Sequence, residues 1–153
     1  MPVARRERTL KVPPERVWEV IEDPHHMPRW WPGVTRMEAV EDDRFTQVLM
    51  TKKGRPVRMD FHLIACEPPG AAGDAPGRCA WEQELEGTPF ARVLSSAVTE
   101  IVLEPSPEGT RVKLEQNQKL RGYSRTGGFM MRRATRARLN EALEGLERVL
   151  TTP

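Results

Sequence analysis

The spacing of apolar residues switches between a period of two and a helical period, and the switches divide the chain. Leu10 and Val12 alternate with polar neighbours at the end of a first strand that begins near Val3. At Pro14 the spacing turns helical, with Val17, Trp18 and Ile21 on one side. Pro14 suits a first helical position, where the N–H has no intrahelical partner to lose. Asp23-Pro24 repeats the device, an N-cap followed by a first-turn proline, for a second short helix that Pro32-Gly33 stops within about two turns. Alternation by two then returns in six segments. Residues 34–41, 45–52 and 57–66 are separated by Asp42-Asp43 and a Gly54-Arg-Pro turn, and the strands at 78–86, 92–104 and 110–120 are separated by Gly87-Thr-Pro and Pro105-Ser-Pro-Glu-Gly. Between these groups, residues 68–77 are too rich in Gly and Pro for either regular structure and are expected to form a mobile loop. From Ser124 to Leu150 one long amphipathic helix is expected, with Met131, Thr135, Leu139, Ala142, Leu146 and Val149 on its apolar stripe and Leu143 and Leu150 beside it.

Two paired short helices ending at Trp30, a run of strands and a single long last helix form a pattern that resembles the START-like (SRPBCC) superfamily of polyketide cyclases and coenzyme-Q-binding proteins. The resemblance covers nearly the whole chain. It implies an α+β helix-grip fold, a curved seven-stranded antiparallel sheet in the order 1-7-6-5-4-3-2 around the long C-terminal helix, as one domain over residues 1–153. Alternation then selects the face that meets the helix: Met59, Phe61 and Leu63; Trp81, Gln83 and Leu85; Thr99, Ile101 and Leu103; Val112, Leu114 and Gln116. The opposite rows, Arg58, Asp60 and His62, then Glu82, Glu84 and Glu86, then Arg111, Lys113 and Glu115, belong in water. The first half of the last helix faces the sheet with small or flexible residues and the second half with leucines, so space for a pocket is expected beneath Met131, Thr135 and Leu139.

At 153 residues the chain is long enough for one core or one enclosed pocket. It has no apolar run of signal-peptide or membrane-spanning length, which makes a soluble cytoplasmic protein without integral membrane contact the expectation. Charge is distributed unevenly. The net value is +2, yet from Gln116 to Asn140 there are Lys119, Arg121, Arg125, Arg132, Arg133, Arg136 and Arg138 with no acid, a segment of +7 that leaves the remainder at −5. The arginines from Arg125 onward lie toward the start of the last helix and Glu141, Glu144 and Glu147 toward its end, both against the helix dipole, though exposed charges make that opposition small. The cluster is read either as a solvated face pairing with acids of neighbouring elements or as a site for an anionic partner, a lipid headgroup or RNA. Without interleaved aromatics to stack on bases, nucleic acid is not the expected partner.

Gln83, Gln116, Thr99 and Thr135 are polar residues on inward faces, and a buried amide without partners costs about 1 to 3 kcal/mol. They either bond one another or water, or orient a ligand's carbonyl or hydroxyl. Trp30 and Trp31, adjacent on a short helix, point roughly 100° apart. Only one can enter the core; the resemblance, whose pattern has a tryptophan at the position of Trp30, implies that Trp30 packs inward and leaves Trp31 at the rim, as a gate or a half-exposed aromatic. His25, His26 and His62 have no acid or cysteine at metal-ligand spacing, so neither metal nor cofactor is expected. Cys66 and Cys79, at the two ends of the Gly/Pro-rich loop, are expected to be free, buried thiols that could lie opposite each other. No nucleophile, base and oxyanion arrangement is recognisable.

These readings make Trp31, Met59, Phe61, Leu63, Trp81, Gln83, Leu85, Thr99, Ile101, Leu114, Gln116, Met131, Thr135 and Leu139 the candidate ligand-binding residues. The expected function is binding of a hydrophobic small molecule of the lipid, quinone or polyketide class between sheet and helix, though missing catalytic motifs do not exclude an enzyme. Two alternatives stand beside it. One is an aromatase or cyclase acting on a polyketide-like substrate. The other is a macromolecular adaptor of the ribosome-associated kind, which a pocket already filled by side chains would favour.

Overall fold

The computed structural model of the protein describes residues 3–70, 75–122 and 125–151. Residues 71–74 of the Gly/Pro-rich connection, together with the expected helix start at Ser124 and the single tyrosine, Tyr123, lie outside the described residues. Strand β1 spans Val3–Leu10, helix α1 Pro14–Ile21, a 3₁₀ turn Pro24–His26 and helix α2 Met27–Trp30. Strands β2 (Val34–Glu38), β3 (Arg44–Met50), β4 (Pro56–Glu67) and β5 (Gly77–Gln83) follow. A second 3₁₀ turn, Pro89–Arg92, leads to β6 (Leu94–Ser106), β7 (Gly109–Leu120) and the long helix α3 (Arg125–Thr151).

The seven strands form one antiparallel sheet in the order β1-β7-β6-β5-β4-β3-β2. This is the helix-grip arrangement that the resemblance implies, with α3 laid across the sheet. The opening motif folds through its prolines and its cap. Pro14 opens α1 and is itself buried with Val17, Trp18 and Ile21. The Asp23 carboxylate accepts the His25 backbone N–H at 3.0 Å, so the 3₁₀ turn starts where the cap demands. Helix α2 ends at Trp30, and Gly33, at φ +81°, carries the chain into β2.

Where strand limits differ from the sequence pattern, a local preference has prevailed over alternation. Strand β5 stops at Gln83 rather than Glu86, and β6 begins at Leu94 rather than Arg92, because Pro89 opens a 3₁₀ turn in place of a tight hairpin. In β4 a bulge falls at Ile64, between the pairs Leu63↔Trp81 and Ala65↔Ala80, and leaves Ile64 exposed. The bulge brings Cys66 directly opposite Cys79. Both thiols are free, but only Cys79 is buried, and the expectation of two buried thiols fails at Cys66 because it sits on the exposed end of the strand.

The main core joins α1, α2 and the second half of α3 to the sheet. Leu139, Ala142, Leu143 and Leu146 of α3 are fully buried against Leu10, Val17, Trp30, Ile101, Leu103, Val112 and Leu114. Gly145 makes this close packing possible, since a Cβ there would strike the backbone carbonyl of Trp30. A second, smaller apolar cluster lies apart: Leu85, Leu94 and Ala97, with Phe90, Ala91, Leu120 and Met131 against them. It ties the first half of α3 to the β5–β6 connection.

Candidate functional site

The inward faces of β3 to β7 bring two chemically different groups together between the two apolar clusters. The first is aromatic. Trp31 meets Trp81 edge-on at 6.0 Å, Trp81 meets Phe45 edge-on at 6.0 Å, and Phe45 stacks on Phe61 at 5.4 Å between centroids. The second is a set of amides and hydroxyls: Gln47 on β3, Gln83 on β5, Thr99 on β6, and Gln116 and Gln118 on β7. With Met59, Ala97, Val98 and Arg138 they line a cavity of about 50 Å³. A water molecule occupies roughly 30 Å³ of liquid, so the enclosed space is small.

The hydrogen bonds within it are incomplete. The Gln116 amide donates to Thr99 Oγ1 at 3.0 Å, and Thr135 Oγ1 donates to Gln118 Oε1 at 3.1 Å. Gln47 Nε2 has only the Met27 thioether as acceptor, at 3.3 Å, and sulfur is a weak one. Gln83 Nε2 is buried without any partner. Two other buried polar atoms among the described residues, Trp30 Nε1 and Asn117 Oδ1, share that condition, but neither belongs to a residue lining the cavity.

Of the residues selected from the sequence, Trp31, Met59, Phe61, Trp81, Gln83, Thr99 and Gln116 line the cavity. The others do not. Leu63, Ile101, Leu114 and Leu139 belong to the main core, whereas Leu85 and Met131 belong to the second cluster. Thr135 is buried and reaches Gln118 from the cavity's edge. The space thus lies beside the expected stripe rather than beneath it, because Leu139 and Met131 are absorbed into the clusters on either side. Trp31 also departs from expectation, since it is buried as fully as Trp30. Helix α2 has already ended there, and Trp31 adopts an extended backbone, φ −83° and ψ 127°. The 100° rule for neighbouring helical residues therefore does not apply, and both indoles turn inward, 5.5 Å apart and nearly perpendicular.

Sequence reading missed Gln47, Ala97, Val98, Gln118 and Arg138. Two carried a usable signal, since Gln47 alternates with Phe45 and Leu49, and Gln118 continues the series Val112, Leu114, Gln116. Arg138 was counted only with the basic segment. It stands next to Leu139 and three residues after Thr135, so a long side chain there reaches round to the inward side of α3.

Elsewhere the polar chemistry is local. His25 Nδ1 lies 2.8 Å from the Asp23 carboxylate, and His26 Nδ1 lies 3.1 Å from the Val20 carbonyl. His62 faces Glu82 and Glu84 on the convex side of the sheet. Among the described residues, no group of three His, Cys, Asp or Glu is placed to hold a metal ion. The wider groove on the convex face contains Arg5 and Glu115, paired at 2.7 Å, and Glu100 and Lys113, which are paired with Arg78 and Glu104. On the basic segment the expected pairing with acids does not form. Lys119, Arg121, Arg132, Arg133, Arg136 and Arg138 make no ion pair among the described residues, while Arg8 of β1 takes up Glu144 and Glu147 of α3. No helix among the described residues is long and apolar enough to cross a membrane.

A sheet gripping one long helix, with a lined cavity between them, agrees with what sequence comparison finds: a family described as polyketide cyclase / dehydrase and lipid transport matches residues 1–151. The chain belongs to this family. Solved structures agree on the fold. A protein from Mesorhizobium loti is 20% identical, with a TM-score of 0.68 and 99% of each chain covered. One from Thermus thermophilus is 23% identical, with a TM-score of 0.67 and 97% of each chain covered. The di-domain ARO/CYC StfQ from the steffimycin biosynthetic pathway is 15% identical, with a TM-score of 0.73 over 95% of this chain and 50% of that one. Among curated proteins, none matches the chain at a significant level.

Proposed function

We propose that this family member binds a small organic molecule with an apolar body, of the lipid, quinone or polyketide-like class, between the sheet and α3. One observation carries the reading: an aromatic-walled cavity encloses an amide N–H, that of Gln83, with no partner. Leaving that group unpaired costs stability that an apolar residue there would recover, and a ligand acceptor in the cavity would satisfy it. The family description, polyketide cyclase / dehydrase and lipid transport, supports the same class of ligand.

Ligand pockets usually enclose about 300 to 1,000 Å³, so binding requires the cavity to widen. The first half of α3 is the element built to yield. It holds the helical glycines Gly127 and Gly128, exposes Phe129 and Met130, and meets the sheet through Met131 in the small second cluster and the Thr135–Gln118 hydrogen bond. Lifting it opens the cavity while the leucine-packed second half stays seated.

Mass spectrometry of solvent extracts from the purified protein, alongside thermal shifts with long-chain fatty acids and quinones, tests the proposal. A co-purifying apolar compound, or a melting temperature that rises with ligand concentration, supports it. The small cavity and the unpaired arginines favour a second reading, that of an adaptor for an anionic macromolecule. RNA binding at physiological salt that vanishes when Arg133 and Arg136 are reversed to Glu, with no thermal response to any apolar ligand, would replace the first reading with the second.

A further inference from the structure

Two amide donors of the cavity lack a strong acceptor. Gln83 Nε2 has no acceptor, and that of Gln47 has only a thioether. Arg138 adds a guanidinium, which can only donate. No Asp, Glu, His, Lys, Cys or Tyr lies among the described lining residues, so Arg138 supplies the only charge there. That charge has no counter-ion: Arg138 makes no ion pair among the described residues, and residues 116–140 contain no acid. The nearest acid along α3, Glu141, forms no ion pair with Arg138, and the next two, Glu144 and Glu147, are engaged by Arg8.

Unmet donors beside one unpaired cation call for a group that only accepts and carries negative charge, which is the chemistry of a carboxylate. Burying such an ion alone would be prohibitive, but Arg138 is solvent-exposed while Gln83 is 7% exposed. An acid group bridging them would keep one side near water and the other in the cavity, with its charge compensated. Trp31, Trp81 and Phe61 then offer apolar faces to the remainder of the molecule.

We infer that the ligand is an organic acid, its carboxylate held by the Arg138 guanidinium and the Gln83 amide N–H, and its apolar body set against Trp31 and Trp81. This rests on the reading of the cavity as a ligand site and names the ligand's chemistry.

Calorimetric titration with matched probes tests it. Decanoic acid is compared with decanamide and decanol, and naphthoic acid with naphthamide and naphthalenemethanol, so that chain-bearing and ring-bearing acids are distinguished. The expected result is that, in at least one series, the acid binds about tenfold or more tightly than its neutral partners. Arg138→Gln should erase that preference while leaving the neutral compounds bound, and Gln83→Leu should reduce it. Equal binding of acids and neutral compounds, or a preference that survives in Arg138→Gln, would overturn the inference and leave the cavity's role as a ligand site standing. Absence of binding by every probe would overturn both.

Discussion

The cysteines show how one backbone irregularity decides chemistry. The bulge at Ile64 sets Cys66 and Cys79 opposite each other, one exposed and one buried. Burial pushes the Cys79 thiol up to about 12 from 9.0, with the neighbouring Cys66 adding to the rise. Cys79 therefore stays protonated where exposed thiols react. Titration with a thiol reagent should label Cys66 alone in the folded protein and both cysteines in denaturant; rapid double labelling of the native state would contradict this burial. The same shift has a sign for stability. Unfolding releases the thiol to ionise near 9 while the folded state holds its proton, so stability should fall as pH rises above about 9. Replacing Cys79 with Ala should flatten that part of the alkaline profile in denaturant melts. That the two free cysteines could face each other was legible from their places at the ends of the loop; that one is exposed and the other buried was not, because alternation cannot register a bulge. Trp31 was misplaced for a related reason: the point where a helix ends decides where the next side chain turns.

At the scale of elements, the divided character of α3 was legible and its consequence only partly so. Leucines in the second half and small or flexible residues in the first did mark a change in packing. The space nevertheless opened beside Thr135, toward Arg138, because Met131 found its own cluster. Three variants separate the halves. Leu146→Ala, at a fully buried position, should cost about 2 to 5 kcal/mol, whereas Met131→Ala, half-buried in the small cluster, should cost clearly less. Gly145→Ala places a methyl against the Trp30 backbone and should cost about 1 to 3 kcal/mol by forcing α2 and α3 apart. Chemical denaturation ranks all three. A Met131 loss equal to that of Leu146 would mean that the first half is packed as firmly as the second, which would remove the proposed route for widening the cavity. Hydrogen exchange gives an independent reading, since amides of residues 127–136 should exchange faster than those of 139–150.

For the whole molecule, the succession of elements followed from where prolines, turns and periods fall, because each local preference agreed with the final fold, whereas the order of strands and the placement of α3 came from the resemblance to the START-like superfamily. The site was less visible. Seven of its residues were selected by alternation on β4 to β7 and by the tryptophan pair, yet the feature that gives it chemical character, donors without acceptors, arises from distances between strands. Side-chain type alone does not contain them. Charge tells the same story, since the +7 segment was plain in the chain while the lack of ion pairs along its described part required the fold.

The central claim is that the cavity between sheet and helix receives a ligand, and an NMR titration examines it most directly. With the protein labelled in nitrogen, decanoic or naphthoic acid should produce saturable shifts in the side-chain amides of Gln83 and Gln116 and in the indole N–H groups of Trp31 and Trp81. Residues on the convex face, such as Glu82 and Lys113, should stay unmoved. Shifts confined to that convex face, or none at the cavity amides at saturating ligand, would contradict the account.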